Sequence, residues 1–282
     1  MTGHDYHTHS TCSDGTLTPS ELVERAHANG VRTLALTDHD ATDGVAEARA
    51  AAARLGLRLV PGVEISVTWS HQTLHVVGLG VDVTHAPLQA GLARLREFRT
   101  WRAEEIGRRL RKKNIEGAYE RARGLAKGAV VSRTHFARDL VRQGFVATMG
   151  QAFKQSLGRG RVAHVPGRWA ALEEAVGWIR GAGGIAVIAH PARYALSGGK
   201  LRRLLGEFRA CGGEAFEVIS GAQPPAATAQ LARLALEFEL FASAGSDYHG
   251  PEQQWIDVGR VQQLPAELTP VCEAPALRGA FS

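Results

Sequence analysis

Cysteine is scarce in this chain: three in 282 residues (Cys12, Cys211 and Cys272), odd in number and with no Cys-x-x-Cys pair. That arrangement excludes a disulfide framework and a structural zinc finger, and points to a reducing compartment. Long apolar runs are absent too. None approaches the roughly 20 residues that a membrane-spanning helix needs. The opening from Met1 to Asp14 is polar and has no apolar core of a secretory leader, so the expected setting is cytoplasmic, away from membranes. There is no internal repeat and no low-complexity tract, and nothing implies an obligate protein partner.

What is present is ordinary in bulk and uneven in distribution. Hydrophobic residues make up 44% and charged residues 22%, as in a soluble globular protein. A length of 282 residues fits one α/β barrel, or a barrel with an insertion. The net charge of +5 hides a split. Between Gly91 and Arg168 there are 19 Lys+Arg against 6 Asp+Glu, a net of +13, which leaves the rest of the chain at −8. A basic segment inside an acidic host suggests a module that attracts an anion.

Apolar strand patterns alternate with amphipathic helices. Thr18-Pro19-Ser20-Glu21 reads as a capped helix start, and Gly30 as its end. Strands are predicted at 31–36, 58–65 and 73–81, then at 184–191, 215–219 and 241–249, with helices between them. The alternation predicts parallel pairing with helices outside. Residues 88–165 break the pattern, being helical in period, rich in Arg and poor in β-branched residues. They are read as a helical insertion in a barrel formed by 1–87 and 166–282.

Polar residues recur at the predicted strand ends. His7 and His9 are two apart, so an extended chain turns both imidazoles to one side. Asp14 follows in a Gly-containing turn, where it could supply an oxygen ligand. His39, Glu64, His75, His190, Asp247 and His249 complete the set, which uses six of the twelve histidines. Any one of them could be a buried structural histidine or a cap. Together, without a cation, so many convergent imidazoles and carboxylates would be desolvated and badly paired. Nine ligands exceed one tetrahedral zinc, and nitrogen–oxygen ligation without thiolate suits Mn, Zn or Fe, so two or three divalent ions are expected. Three such ions against three carboxylates leave a positive site, a setting for a phosphate ester.

The motifs His7-x-His9, Ser13-Asp14-Gly15, Thr37-Asp38-His39, Gly62-x-Glu64, His75, Ala189-His190-Pro191 and Gly245-Ser246-Asp247-x-His249 resemble, in order, those of the PHP (polymerase and histidinol phosphatase) superfamily. The resemblance implies a distorted (β/α)7 TIM-like barrel and a trinuclear site, often manganese-loaded, that hydrolyses phosphate esters. It also implies a metal-bridging hydroxide that attacks phosphorus in line. His7, His9, Glu64 and Asp247 would surround one ion and Asp14, His39 and His249 another. Glu64 would bridge to a third, held by His75 and His190. The basic insertion and Ser132-Arg133-Thr134-His135-Phe136-Ala137 are most similar to the TrpH/YciV-like branch, which includes 3′,5′-nucleotide bisphosphate phosphatases and 5′-to-3′ exoribonucleases on short RNA. Thr134 departs from the proline expected there.

Arg99 and Arg102 are three apart, so on a helix they share a face and could clamp one phosphate. With Arg133, Thr134 and His135 they are the expected contacts to a second phosphate or the sugar, and His135 is one candidate for the leaving-group acid. Phe98 and Trp101 could stack on a base, though helix core explains them as well. Asp38 could orient a ligand imidazole, or simply cap the end of its strand. The leading expectation is a phosphatase that takes the 3′-phosphate from a nucleoside 3′,5′-bisphosphate and leaves a 5′-monophosphate. A 5′-to-3′ exoribonuclease on short 5′-phosphorylated RNA is the near alternative. A non-catalytic nucleic-acid-binding or proofreading module is the distant one, since it has no use for nine intact ligands. Histidinol phosphatase leaves the +13 segment without a purpose.

Overall fold

A computed structural model of the chain describes residues 3–278. Seven strands form one sheet in sequence order: β1 (His4–Asp5), β2 (Thr33–Leu36), β3 (Arg58–Trp69), β4 (Gln72–Leu79), β5 (Ile185–Ile188), β6 (Ala215–Ser220) and β7 (Phe241–Gly245). The sheet closes on itself. Tyr6 N donates to Ala244 O at 3.2 Å, His9 N to Tyr248 O at 3.0 Å, and Thr8 bridges Tyr248 in parallel. The expected distorted seven-stranded barrel is therefore present.

Parallel pairing throughout is not. β4 runs antiparallel to both β3 and β5, while the other pairs are parallel. The cause is local: β3 and β4 are joined by the two-residue turn Ser70-His71, both with positive φ (47° and 61°), the hairpin geometry that matches strand twist. β3 consequently outruns its predicted end at 65 and reaches Trp69. The regular part of β1 stops at Asp5, so His7 and His9 lie on extended chain just beyond it.

Helices cover the outside. α1 (Pro19–Ala28) starts at Thr18 with the capping box to Glu21 in place, and α2 is Val45–Leu55. α3 (Ala86–Arg111), α4 (Ala118–Leu125), α5 (Arg133–Arg142) and the short α6 (Met149–Ala152) follow β4. α7 (Leu172–Gly181), α8 (Gly198–Ala210) and α9 (Pro225–Glu237) return to the alternating pattern, and α10 (Pro275–Arg278) ends the described chain. Val63, Ile65 and Val67 of β3 pack with Val176, Ile179, Leu205 and Phe208 of the outer helices. The opposite strand faces carry a second apolar cluster of Tyr6, Ala35, Val60, Val77, Val187 and Ala215, joined by Val271 and Leu277.

That inner row positions the site. Strand side chains alternate, so Glu64 lies on the face of Val60, His75 on that of Val77, and Glu217 on that of Ala215. Each polar residue continues an apolar inner row at the same mouth. β4 contributes its first half there because it runs backwards. The stretch from the second half of α3 through α6 and on to Val165 has its own apolar cluster, including Ala103, Ile106, Leu110, Phe136, Leu140 and Val165, whereas Leu88, Leu92 and Leu95 of α3 pack with the barrel. No described helix is long and apolar enough to cross a membrane.

Candidate metal centre and arginine-lined cavity

All nine expected ligands come together at the barrel mouth, in three overlapping sets. In the first, His7 Nε2 and His9 Nε2 are 3.1 Å apart, and each lies within 3.4 Å of a Glu64 oxygen. Asp247 Oδ1 is 3.4 Å from the former and 3.1 Å from the latter. In the second, Asp14 Oδ1 faces His249 Nε2 at 3.3 Å and His39 Nε2 at 3.8 Å, with His9 alongside. The third gathers His39, His75 and His190 on Glu64, at 2.8, 2.9 and 2.9 Å.

Two observations test whether cations fit. Asp14 Oδ1, Glu64 Oε2 and His39 Nδ1 are buried without a hydrogen-bond partner. The last two are only 2.8 Å apart, yet not aligned as a hydrogen bond, as expected of two ligands aimed at a common point between them. Second, burial opposes a charge on His7, but Glu217, Glu64 and Asp247 outweigh it and hold its pKa well above the usual imidazole value. Burial likewise opposes charge on His249, yet Asp14 and Asp247 lift it to about 9. Asp14 and Asp247 are held far below the carboxylate range, against burial, chiefly by His249 and His39 for the first and by His7 and Arg193 for the second. The nitrogen–oxygen donor set fits divalent metal ions.

The orienting contacts differ from expectation. Glu217 was not singled out by sequence, yet its Oε1 accepts from His7 Nδ1 at 2.7 Å and its Oε2 from the His190 amide at 2.5 Å. The readable signal was a buried glutamate on an otherwise apolar strand. Asp38 does not touch a ligand imidazole. It accepts from Ser10 N, Ser10 Oγ and Ser13 Oγ at 2.8, 2.6 and 2.6 Å, and Ser13 Oγ stands 3.4 Å from His9 Nδ1. The His190 and Asp247 backbones take left-handed φ values of 31° and 53°, turning the chain sharply where the strands end.

Beside the ligands lies a small cavity of about 70 Å³, lined by Asp14, His39, His75, Arg99, Arg102, Arg133 and Thr134 among others. Arg102, Arg133 and Thr73 also line a larger one of about 600 Å³, together with Arg159, His164, Arg193 and Tyr194. Arg99 and Arg102 do share a face, both lying over the Trp169 ring at 5.1 and 5.2 Å. They are not equivalent. Arg99 Nε is bound to Asp40 Oδ2 at 2.6 Å and Nη2 to Ser66 Oγ at 2.8 Å. Arg102 is only 7% exposed, and among the described residues its one hydrogen bond goes to the Val165 carbonyl, at 3.2 Å from Nε. Burial, then Arg133 and Arg99, hold its pKa well below the guanidinium range. Burial and Arg99 lower Arg133 as well.

Thr134 lines the small cavity, but His135 lines neither. Its Nδ1 accepts from Ser132 N at 3.1 Å, closing the cap of α5, and burial pushes its pKa down to about 4. Phe98 packs edge-on against Trp169, with Trp101 outside it and half exposed; neither lines either of these two cavities. α5 is also tied to the ligands. Ser132 Oγ donates to Asp14 Oδ2 at 2.7 Å, and Arg138 reaches the Asp14 carbonyl at 2.8 Å and Glu252 at 2.6 Å.

A closed seven-stranded barrel with this histidine–carboxylate mouth coincides with the match of residues 5–142 to the PHP domain model. The chain belongs to the PHP-domain family of phosphoesterases. It is 45% identical to a 3′,5′-nucleoside bisphosphate phosphatase of Chromobacterium violaceum, over 99% of this chain and 100% of that one. It is 47% identical to the 5′-3′ exoribonuclease Rnm of Escherichia coli, over 93% and 90%. A solved structure from Chromobacterium violaceum, described as an amidohydrolase with bound sulfate and no metal, superposes with a TM-score of 0.95 at 44% identity, covering 99% of this chain and 96% of that one.

Proposed function

We propose that this protein is a metal-dependent phosphatase that removes the 3′-phosphate of nucleoside 3′,5′-bisphosphates and leaves a 5′-monophosphate. The observation that carries the reading is one continuous space. Asp14, His39 and His75 share a cavity with Arg102 and Arg133, two buried guanidiniums that form no salt bridge among the described residues, although Arg133 feels the charge of Asp14. A monophosphate would occupy the first group and leave the second uncompensated, whereas a bisphosphate serves both.

His7, His9, Glu64 and Asp247 would hold one ion, Asp14, His39 and His249 a second, and His75 and His190 a third with Glu64 shared. Two or three divalent ions, manganese foremost with zinc or iron as alternatives, would activate water and neutralise phosphate oxygens when bound. Glu217 fixes the His7 ring so that Nε2 points into the site. Arg102 and Arg133 grip the 5′-phosphate with charge-assisted hydrogen bonds, and Trp169 keeps the Arg102 guanidinium in place. Arg99 acts through Asp40 and Ser66, bracing the chain next to His39. Residues 88–165 would form the unit that holds the non-reacting end of the substrate.

The exoribonuclease reading has its own support in the relatives of that name. Both reactions can use one displacement, in which the 3′ oxygen of a 5′-phosphorylated nucleoside leaves phosphorus. Manganese-loaded protein would be offered adenosine 3′,5′-bisphosphate and, separately, a 5′-phosphorylated RNA trimer. Orthophosphate and 5′-AMP from the first, with the trimer intact, is the expected outcome. Stepwise mononucleotides from the trimer alone would make it an exoribonuclease, and no turnover of either by metal-loaded protein would end both readings.

A further inference from the structure

The larger cavity carries more positive charge than a 5′-monophosphate can use. Arg102 and Arg133 already match two negative charges, and Arg193 is engaged by Asp247. Arg159, exposed at the rim, and two histidines, His71 and His164, remain. His164 sits amid Arg133, Arg102 and Arg159, and these, with burial, lower its pKa. No carboxylate lines this space. A purine or pyrimidine brings no charge to answer the surplus.

Chemistry limits what can extend there. This step rests on the phosphatase reading above. If the 3′ oxygen leaves, the reacting phosphate is at the ligands and the nucleoside's 5′ end points into the arginine-lined space. Further nucleotides of an RNA attach to the reacting phosphate, on the opposite side, and so run away from this cavity. Only the 5′ end itself can be longer.

We propose that the larger cavity accepts a second phosphate in pyrophosphate linkage at the 5′ end, so that nucleoside 3′-phosphate 5′-diphosphates are substrates, with Arg159 as the contact that recognises the added phosphate. In the reaction, the water oxygen bonds to the 3′ phosphorus and the P–O3′ bond breaks. Its electron pair and a proton go to O3′, orthophosphate departs, and the 5′-diphosphate is unchanged.

The test compares adenosine 3′-phosphate 5′-diphosphate with adenosine 3′,5′-bisphosphate on manganese-loaded protein and on R159A. Wild type should release orthophosphate and ADP from the diphosphate with a KM no higher than for the bisphosphate. R159A should raise the diphosphate KM about tenfold and leave the bisphosphate within about twofold, the scale of one charge-assisted phosphate contact. Turnover of the bisphosphate without ADP from the diphosphate overturns the proposal, as do equal effects of R159A on both. So does an R159A effect confined to an RNA trimer, which would make the cavity a strand guide. If neither nucleotide reacts, the phosphatase reading has failed, and calorimetry still decides the cavity. ADP should bind wild type about tenfold tighter than AMP and lose that margin in R159A, and equal binding to wild type overturns the idea.

Discussion

The barrel mouth and the arginine wall beside it are opposite solutions to burying charge. At the mouth, three carboxylates face six imidazoles and short contacts abound, yet several atoms have no bonded partner, so the region asks for cations. At the wall, Arg102 and Arg133 sit side by side, neither in a salt bridge among the described residues and only Arg133 feeling a carboxylate, Asp14, so it asks for an anion. The two requests meet in one cavity, which makes a ligand bearing two phosphates the natural bridge between them. Neither half specifies the substrate alone.

The comparison breaks most completely at Glu64, which five imidazoles approach. E64Q should abolish metal loading at more than one position and lower turnover roughly 10³-fold or more, the weight of several kcal/mol in transition-state stabilisation. Metal analysis and kinetics on the same sample check both. At the wall, R102A should cost about 10²-fold in kcat/KM for a bisphosphate and far less for an aryl monophosphate. R102M should at the same time stabilise the ligand-free protein by about 1 kcal/mol in denaturant melts, because it removes a buried charge that lacks a partner. E217Q should weaken metal binding 10- to 100-fold, on the scale of lost orienting partners, while the bisphosphate-to-monophosphate preference holds. A competition titration with a metal-binding dye reads the affinity.

The smallest effect concerns His135, which belongs to neither request. Its folded pKa of about 4 lies below the unfolded value near 6.5, so its contribution is intact above 6.5 and lost as pH falls toward 4. Between pH 7.5 and 5.5 wild type should lose roughly 1 kcal/mol that H135Q does not, measured as the difference between their denaturation midpoints. Equal slopes would remove His135 from the buried set.

The alternating strands and the convergence of nine histidines and carboxylates were legible because period-2 patterns end in chemistry-bearing residues at regular places. His75 was legible as a residue but not as a position. Only the Ser70-His71 turn, reversing β4, explains how a histidine near a strand's start reaches a mouth made of strand ends. Glu217 was hidden by the apolar run around it, although its inward parity with Ala215 was readable. The equivalence of Arg99 and Arg102 failed for a reason that helical spacing cannot contain. Asp40 comes from another element, and it claims one guanidinium and leaves the other.

The hydrogen bonds from Ser132 and Arg138 to Asp14 have an implication for engineering and descent. A barrel stripped of residues 88–165 would retain all nine of the proposed ligands but release Asp14 from its two supports on α5. The segment is therefore not an exchangeable cassette. A graft that moves substrate preference between relatives has to carry the supports of Asp14 along with the arginines, and selection acting on one will have been felt by the other.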